Sequence, residues 1–327
     1  MEAGLILVLL LILGAEFVNG WTDSPNAIAT VVGTRSLTPL QAVIMAAVLN
    51  LVGVLSGTKV AATIGKGIVD ASVIDLTTVA GAMISIILWS SLAAQWGIPT
   101  SETHALVAGL AGAGLATAGP SALLWEGWKK VLWGLFFSSV LGGLGGLIVM
   151  TAVYWLFRRA VPAKTRGTFR VLQIISSGFM AFTHGSNDGQ KFMGVFTLSL
   201  MIAGVLPAFH IPLWVIFLCA SVMALGTLTG GWRIIKTMGM KLTRLETHQG
   251  FAAEVAAASV IEAATRFGIP LSTTHTITSA IVGVGATRGG SAVNWGVTQR
   301  LVIAWILTFP ICGLISYLVV LGLRALN

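Results

Sequence analysis

Two aspartates and a set of hydroxyls recur at matched positions in a chain that is otherwise poor in charge. Asp23 closes Phe17-Val18-Asn19-Gly20-Trp21-Thr22-Asp23, and 165 positions later Asp188 closes Phe182-Thr183-His184-Gly185-Ser186-Asn187-Asp188. Ser101 and Thr103 lie in Trp96-Gly97-Ile98-Pro99-Thr100-Ser101-Glu102-Thr103-His104. A second copy, Phe267-Gly268-Ile269-Pro270-Leu271-Ser272-Thr273-Thr274-His275, follows 171 positions on. In the second motif Gly and Pro stop one helix, and Ser101, Thr103, Ser272, Thr273 and Thr274 supply caps and open donors for the next. A helix N-terminus carries unpaired N–H groups and about half a positive charge, which suits an anion. Two such ends facing each other fit a small tetrahedral oxyanion. The aspartates are poor anion ligands. As hard oxygen donors, joined by the amides of Asn26 and Asn187 and by carbonyls freed at a helix break, they suit Na⁺ at Asp23 and at Asp188.

The elements that position these groups are set by composition. Hydrophobic residues make up 56% of the 327 and charged residues 9%, and the mean hydropathy is +0.92. Such a chain cannot clothe a soluble globule, so the bilayer is its solvent. The formal charge of +8 lies in short loops between apolar runs and forms no basic patch, which excludes a nucleic-acid partner. Cys219 and Cys312 sit singly inside apolar runs, without a disulfide framework or metal spacing. Neither a G-x-x-x-x-G-K-[ST] loop, a G-x-S-x-G elbow nor an H-E-x-x-H helix occurs, so the chain is read as a transporter and not an enzyme, with no organic cofactor.

Apolar segments long enough to cross, or to enter, a bilayer fall at 3–33, 38–57, 77–95, 100–118, 129–157, 171–206, 211–230, 249–266, 270–287 and 296–323. The run Arg158, Arg159, Lys164, Arg166 and Arg170 marks a cytoplasmic junction by the positive-inside rule. The expected architecture is an all-α integral membrane protein with two inverted-topology repeats, 1–160 and 161–327. Each repeat contributes one discontinuous transmembrane helix, broken at its Asp motif, and one re-entrant helical hairpin, tipped by its Ser/Thr motif.

Other intramembrane polar residues lack this duplication. Glu102 stands where the second copy has Thr273; it either binds a coupling proton or pairs with Lys191 or Arg266. His104 and His275 end both tips, with a loop hydrogen bond as plausible as a relay, and His184 has no counterpart. Gly142-Gly143 and Gly145-Gly146 are expected at a close helix contact, within the chain or between subunits.

At these residues the sequence resembles the PiT family of inorganic phosphate transporters. That family carries a G-x-N-D-x-x-N-A loop in each half, here Gly20-Trp21-Thr22-Asp23-Ser24-Pro25-Asn26-Ala27 and Gly185-Ser186-Asn187-Asp188-Gly189-Gln190-Lys191-Phe192, and a P-x-S-T-T-H tip, here Pro270 to His275. The resemblance implies a homodimer in the cell (cytoplasmic) membrane that imports phosphate with Na⁺ or H⁺ by alternating access, the tips binding phosphate and the Asp loops the cation. Thr22 and Lys191 depart from the pattern, so the two cation positions are expected to be unequal. The family includes sulfate permeases, and an anion channel is a further alternative. Phosphate can donate a hydrogen bond at neutral pH and sulfate cannot, so an acceptor such as Glu102 favours phosphate.

Overall fold

The computed structural model describes residues 2–326, except the side chains of residues 2 and 162–164. Among the described residues twelve α-helices follow one another, and there is no strand. In chain order they are α1 (Glu2–Gly33), α2 (Pro39–Val54), α3 (Lys59–Gly67), α4 (Leu76–Trp96), α5 (Glu102–Ala118) and α6 (Trp125–Phe157), then α7 (Pro162–Ile202), α8 (Leu213–Thr229), α9 (Trp232–Lys236), α10 (Thr247–Arg266), α11 (Thr273–Ala286) and α12 (Trp295–Ala325). Among the described residues five helices are long and apolar enough to cross a membrane, or up to seven if each bent pair counts as one span.

Burial is inverted relative to a soluble protein. Trp133, Phe136, Leu144, Ile148, Trp155 and Leu156 of α6 are exposed, and so are Ile306 and Leu318 of α12. Asp23, Glu102, Asp188 and Lys191 are buried. Exposed apolar bands of this size match lipid, while polar groups turn inward, where partners satisfy them. This arrangement makes the chain a multi-pass membrane protein.

The packing crosses the midpoint of the sequence. Helix α1 lies on α8 while α7 lies on α2; α4 and α5 lie on α12 while α10 and α11 lie on α6. Glycines permit the close approaches. A Cβ at Gly53 would fall on the Phe182 carbonyl oxygen, and one at Gly226 on the Phe17 carbonyl oxygen. Gly53→Val should therefore cost about 1–3 kcal/mol through overpacking, read as a lower melting temperature in detergent, whereas Gly322→Ala, with nothing nearby, should not. Gly142 and Gly146 face Thr276 and Ala280, and Gly143 and Gly145 lie nearest Ser279 and Ala256, so all four serve contacts within the chain. Asp75 caps α4, accepting from the Thr78 N–H, and pairs with Arg324 at 2.7 Å. Partial burial pushes its carboxyl up, but the Thr78 bonds and the Arg324 charge outweigh that and hold it below the ordinary value.

The breaks fall elsewhere than expected. Helices α1 and α7 run unbroken through their Asp motifs. Pro25 removes one N–H, but the Trp21 carbonyl it would have bonded accepts from Ser24 Oγ at 3.2 Å, so the helix survives. Gly185 and Gly189 serve packing against Asn50 and Val54 instead of a turn. The interrupted spans are α2 with α3, bent by 70°, and α8 with α9 and its following π turn, bent by 61°. Ser56-Gly57 marks the first bend and Gly230-Gly231 the second, with Gly230 at φ +61°.

Candidate functional site

Both hairpin turns are built alike. Gly97 and Gly268 end α4 and α10 at φ +69° and +67°, a left-handed conformation that glycine adopts without strain. Ser101 Oγ then accepts from His104 N at 3.3 Å, and Ser272 Oγ from His275 N at 3.1 Å, capping α5 and α11. The first-turn N–H groups of each helix have no partner within the helix and point at the turn.

The two tips interlock. Thr103 Oγ1 donates to the Leu271 carbonyl oxygen at 2.5 Å, and the matching Thr274 Oγ1 donates to the Thr100 carbonyl oxygen at 3.0 Å. The rings of His104 and His275 meet at 4.5 Å between centroids; His275 also stacks on Trp305 at 3.8 Å, and His104 lies 4.8 Å from Phe309. These histidines wedge the tips against α12 and against each other.

The acidic motifs of α1 and α7 lie against this junction. Asn26 Nδ2 donates to Thr273 Oγ1 at 3.2 Å and Thr274 Oγ1 at 3.0 Å, and Thr274 Oγ1 lies 3.3 Å from Asp23 Oδ1. Asp188 Oδ2 accepts from Thr273 Oγ1 at 2.9 Å. Lys191 Nζ stands 2.6 Å from Asp188 Oδ1 and 2.6 Å from Thr103 Oγ1, with no solvent exposure. Thus Ser101, Thr103, Ser272, Thr273 and Thr274 share one buried cluster with Asp23, Asn26, Asp188 and Lys191. Oδ1 of Asn26 is buried without a hydrogen-bond partner, a lone acceptor beside a carboxylate, which fits a hard cation better than an anion.

Three expected roles change. Asn187 does not face the carboxylates: Nδ2 donates to Thr265 Oγ1 at 2.8 Å and to the Ile269 carbonyl at 3.3 Å, while Oδ1 accepts from Leu271 N at 3.3 Å. These bonds position the second tip. Glu102 pairs with neither basic residue. Its Oε1 accepts from Thr22 Oγ1 at 3.0 Å; Lys191 binds Asp188, and Arg266, largely exposed, binds Glu262 at 2.6 Å. His184, unmatched in the first half, belongs to the cluster. Its Nε2 is 3.7 Å from Asp188 Oδ2, and one ligand atom each from Asp23, His184 and Asp188 lie within 4.8 Å of one another.

A second set of residues escaped sequence inspection. Lys59 Nζ donates to the Arg266 carbonyl at 3.1 Å and Thr63 Oγ1 to the Gly268 carbonyl at 2.7 Å. In the other half Arg233 Nη1 donates to the Gln95 carbonyl and Thr237 Oγ1 to the Gly97 carbonyl at 2.8 Å. Each bent segment thereby clamps the tip contributed by the opposite half. The motifs are spaced 174 positions apart and differ in the basic residue, so no repeated string reveals them. A cavity of about 680 Å³ lies away from the tips, among Thr34, Tyr154, Arg158, Arg166 and His248.

A family model described as the phosphate transporter family matches this chain twice, over residues 19–166 and 157–316. A curated protein of Rhizobium meliloti, described as a probable low-affinity inorganic phosphate transporter, is 45% identical over 305 residues, covering 93% of this chain and 91% of the relative. One of Bacillus subtilis with the same description is 41% identical over 320 residues, covering 96% of each. Among solved structures, one titled the sodium-dependent phosphate transporter superposes with a TM-score of 0.90 at 26% identity, covering 99% of this chain and 100% of that one.

Proposed function

The chain belongs to the phosphate transporter family, and we propose that it imports inorganic phosphate across the cell membrane in symport with Na⁺ by alternating access. The observation that carries this reading is the reciprocal bonding of the two tips, Thr103 to Leu271 and Thr274 to Thr100, directly beside Asp23 and Asp188. Paired helix N-termini offer N–H groups and partial positive charge to phosphate, with Ser101, Thr103, Ser272, Thr273 and Thr274 as hydroxyl ligands. Asp23 and Asn26 hold the Na⁺, whose charge offsets that of the anion. Glu102 has an oxygen able to accept from a protonated phosphate, which favours phosphate over sulfate.

The exchange of contacts between 1–160 and 161–327 supports an inverted repeat whose hairpins enter from opposite faces. Alternating access then consists of releasing one clamp at a time: Lys59 and Thr63 from the second tip, or Arg233 and Thr237 from the first. The paired chains of a homodimer would each carry one such pathway. Na⁺ is preferred over H⁺ as coupling ion because the oxygen-rich position at Asp23 and Asn26 suits a hard cation, and because the solved relative is described as sodium-dependent.

Protein reconstituted in liposomes should accumulate labelled phosphate under an inward Na⁺ gradient at equal pH. Accumulation that follows only a proton gradient would transfer the coupling to H⁺. Sustained current without accumulation would make the protein a channel, and the absence of any gradient-dependent uptake would overturn the assignment.

A further inference from the structure

The two halves treat their aspartates differently, although the tip serines and the threonines at 103 and 274 are repeated. Asn26 of α1 reaches Thr274 of the second tip, and Lys191, the residue 165 positions on, reaches Thr103, the counterpart of Thr274 in the first tip. Matched positions thus reach matched threonines across the same junction. In the first half Asp23, Asn26 and Thr274 gather oxygens around a place that no lysine or arginine fills, bordered by His184 and Asp188, and the amide oxygen of Asn26 is left unpartnered. In the second half the ammonium of Lys191 fills the equivalent place, 2.6 Å from both Asp188 and Thr103.

Resting on the Na⁺-symport reading above, we infer that Lys191 is a tethered cation standing in for one of two cations that a symmetric cluster would bind. A single mobile Na⁺, at Asp23 and Asn26, then accompanies each phosphate. Two physical points support this. A buried ammonium held by a carboxylate and a hydroxyl satisfies Asp188 electrostatically, as a bound cation would. Because the stem of Lys191 rises from α7 itself, this charge cannot leave with the substrate, so it supplies attraction for the anion without drawing on the ion gradient.

The test is the limiting phosphate gradient in proteoliposomes with an imposed Na⁺ gradient of about tenfold, equal pH on both sides and the voltage held at zero. At that limit the phosphate ratio equals the Na⁺ ratio raised to the number of Na⁺ carried per phosphate. The wild-type protein should stop at about tenfold accumulation. Lys191→Asn, which installs the residue type of the first half, should open the second position and move the limit toward about a hundredfold. A wild-type limit near a hundredfold overturns the inference while leaving Na⁺ symport intact. A transporting Lys191→Asn protein with an unchanged limit overturns it too. No Na⁺-driven accumulation by the wild type removes the symport reading and this inference with it. If the variant does not fold, the wild-type limit decides alone.

Discussion

Asp188→Asn should lower the stability of the protein by about 3–5 kcal/mol, the usual consequence of removing one partner of a buried ion pair. Lys191 has no solvent exposure, and its other polar contact is the Thr103 hydroxyl. Without the carboxylate its charge stays uncompensated in the protein interior. The measurement is the melting temperature in detergent, with Asp188→Asn/Lys191→Met as the second arm. Removing both charges takes away the pair without orphaning either member, so the double variant should recover most of the loss. An Asp188→Asn protein that melts with the wild type would show that the pair is not held as described.

Asp23→Asn should act on transport and spare the fold. No lysine or arginine forms an ion pair with Asp23, and the His184 nitrogen near it lies only within 4.8 Å; its contact to the tips is the Thr274 hydroxyl at 3.3 Å, which an amide oxygen can equally accept. What the substitution removes is the negative charge that holds the mobile cation. Na⁺-driven phosphate uptake should fall by roughly a hundredfold, equivalent to about 2.7 kcal/mol at 1.36 kcal/mol per tenfold, with the melting temperature little changed. Uptake that keeps its Na⁺ dependence in this variant would remove Asp23 from the cation position. The contrast is itself informative, since two aspartates in equivalent motifs are expected to fail in different ways because one faces Lys191 and the other does not.

The duplicated motifs made the candidate site legible in the sequence. Gly97-Ile98-Pro99 and Gly268-Ile269-Pro270 carry the turn in their residue types, since a left-handed glycine ends one helix and the Ser two residues after Pro caps the next. That the tips meet could be expected from their pairing, because two matched interruptions in apolar halves have a common interface to fill. The location of the helix breaks was not legible. Pro25 is a strong breaker by type, yet Ser24 hydroxyl bonding to the Trp21 carbonyl compensates it, a repair visible only in three dimensions. Conversely Ser56-Gly57 and Gly230-Gly231 lie within or at the edge of apolar runs and gave no comparable signal, although they carry bends of 70° and 61°.

Side-chain direction was the other hidden quantity. Asn187 and Asp188 are adjacent in sequence, but on a continuous helix neighbours project about 100° apart. Asp188 therefore reaches the tip hydroxyls while Asn187 fastens the backbone of residues 269–271. His184 lies one turn before Asp188 and shares its face, which the unbroken α7 makes possible. The broken helix expected from sequence hid that relation. The clamps at Lys59, Thr63, Arg233 and Thr237 were missed because different basic residues perform the same bond to a carbonyl, and string repetition registers identity and not function.

One anion is expected where the two capped tips meet, with one mobile cation at Asp23. The most direct measurement is a cryo-EM reconstruction of the full chain in lipid nanodiscs with phosphate and Na⁺. The expected result is density for phosphate contacting Ser101, Thr103, Ser272, Thr273 and Thr274, a cation on Asp23 and Asn26, and Lys191 still on Asp188. Phosphate found instead in the cavity beside Arg158 and Arg166, with the Thr103–Leu271 and Thr274–Thr100 bonds between the tips intact, would contradict it.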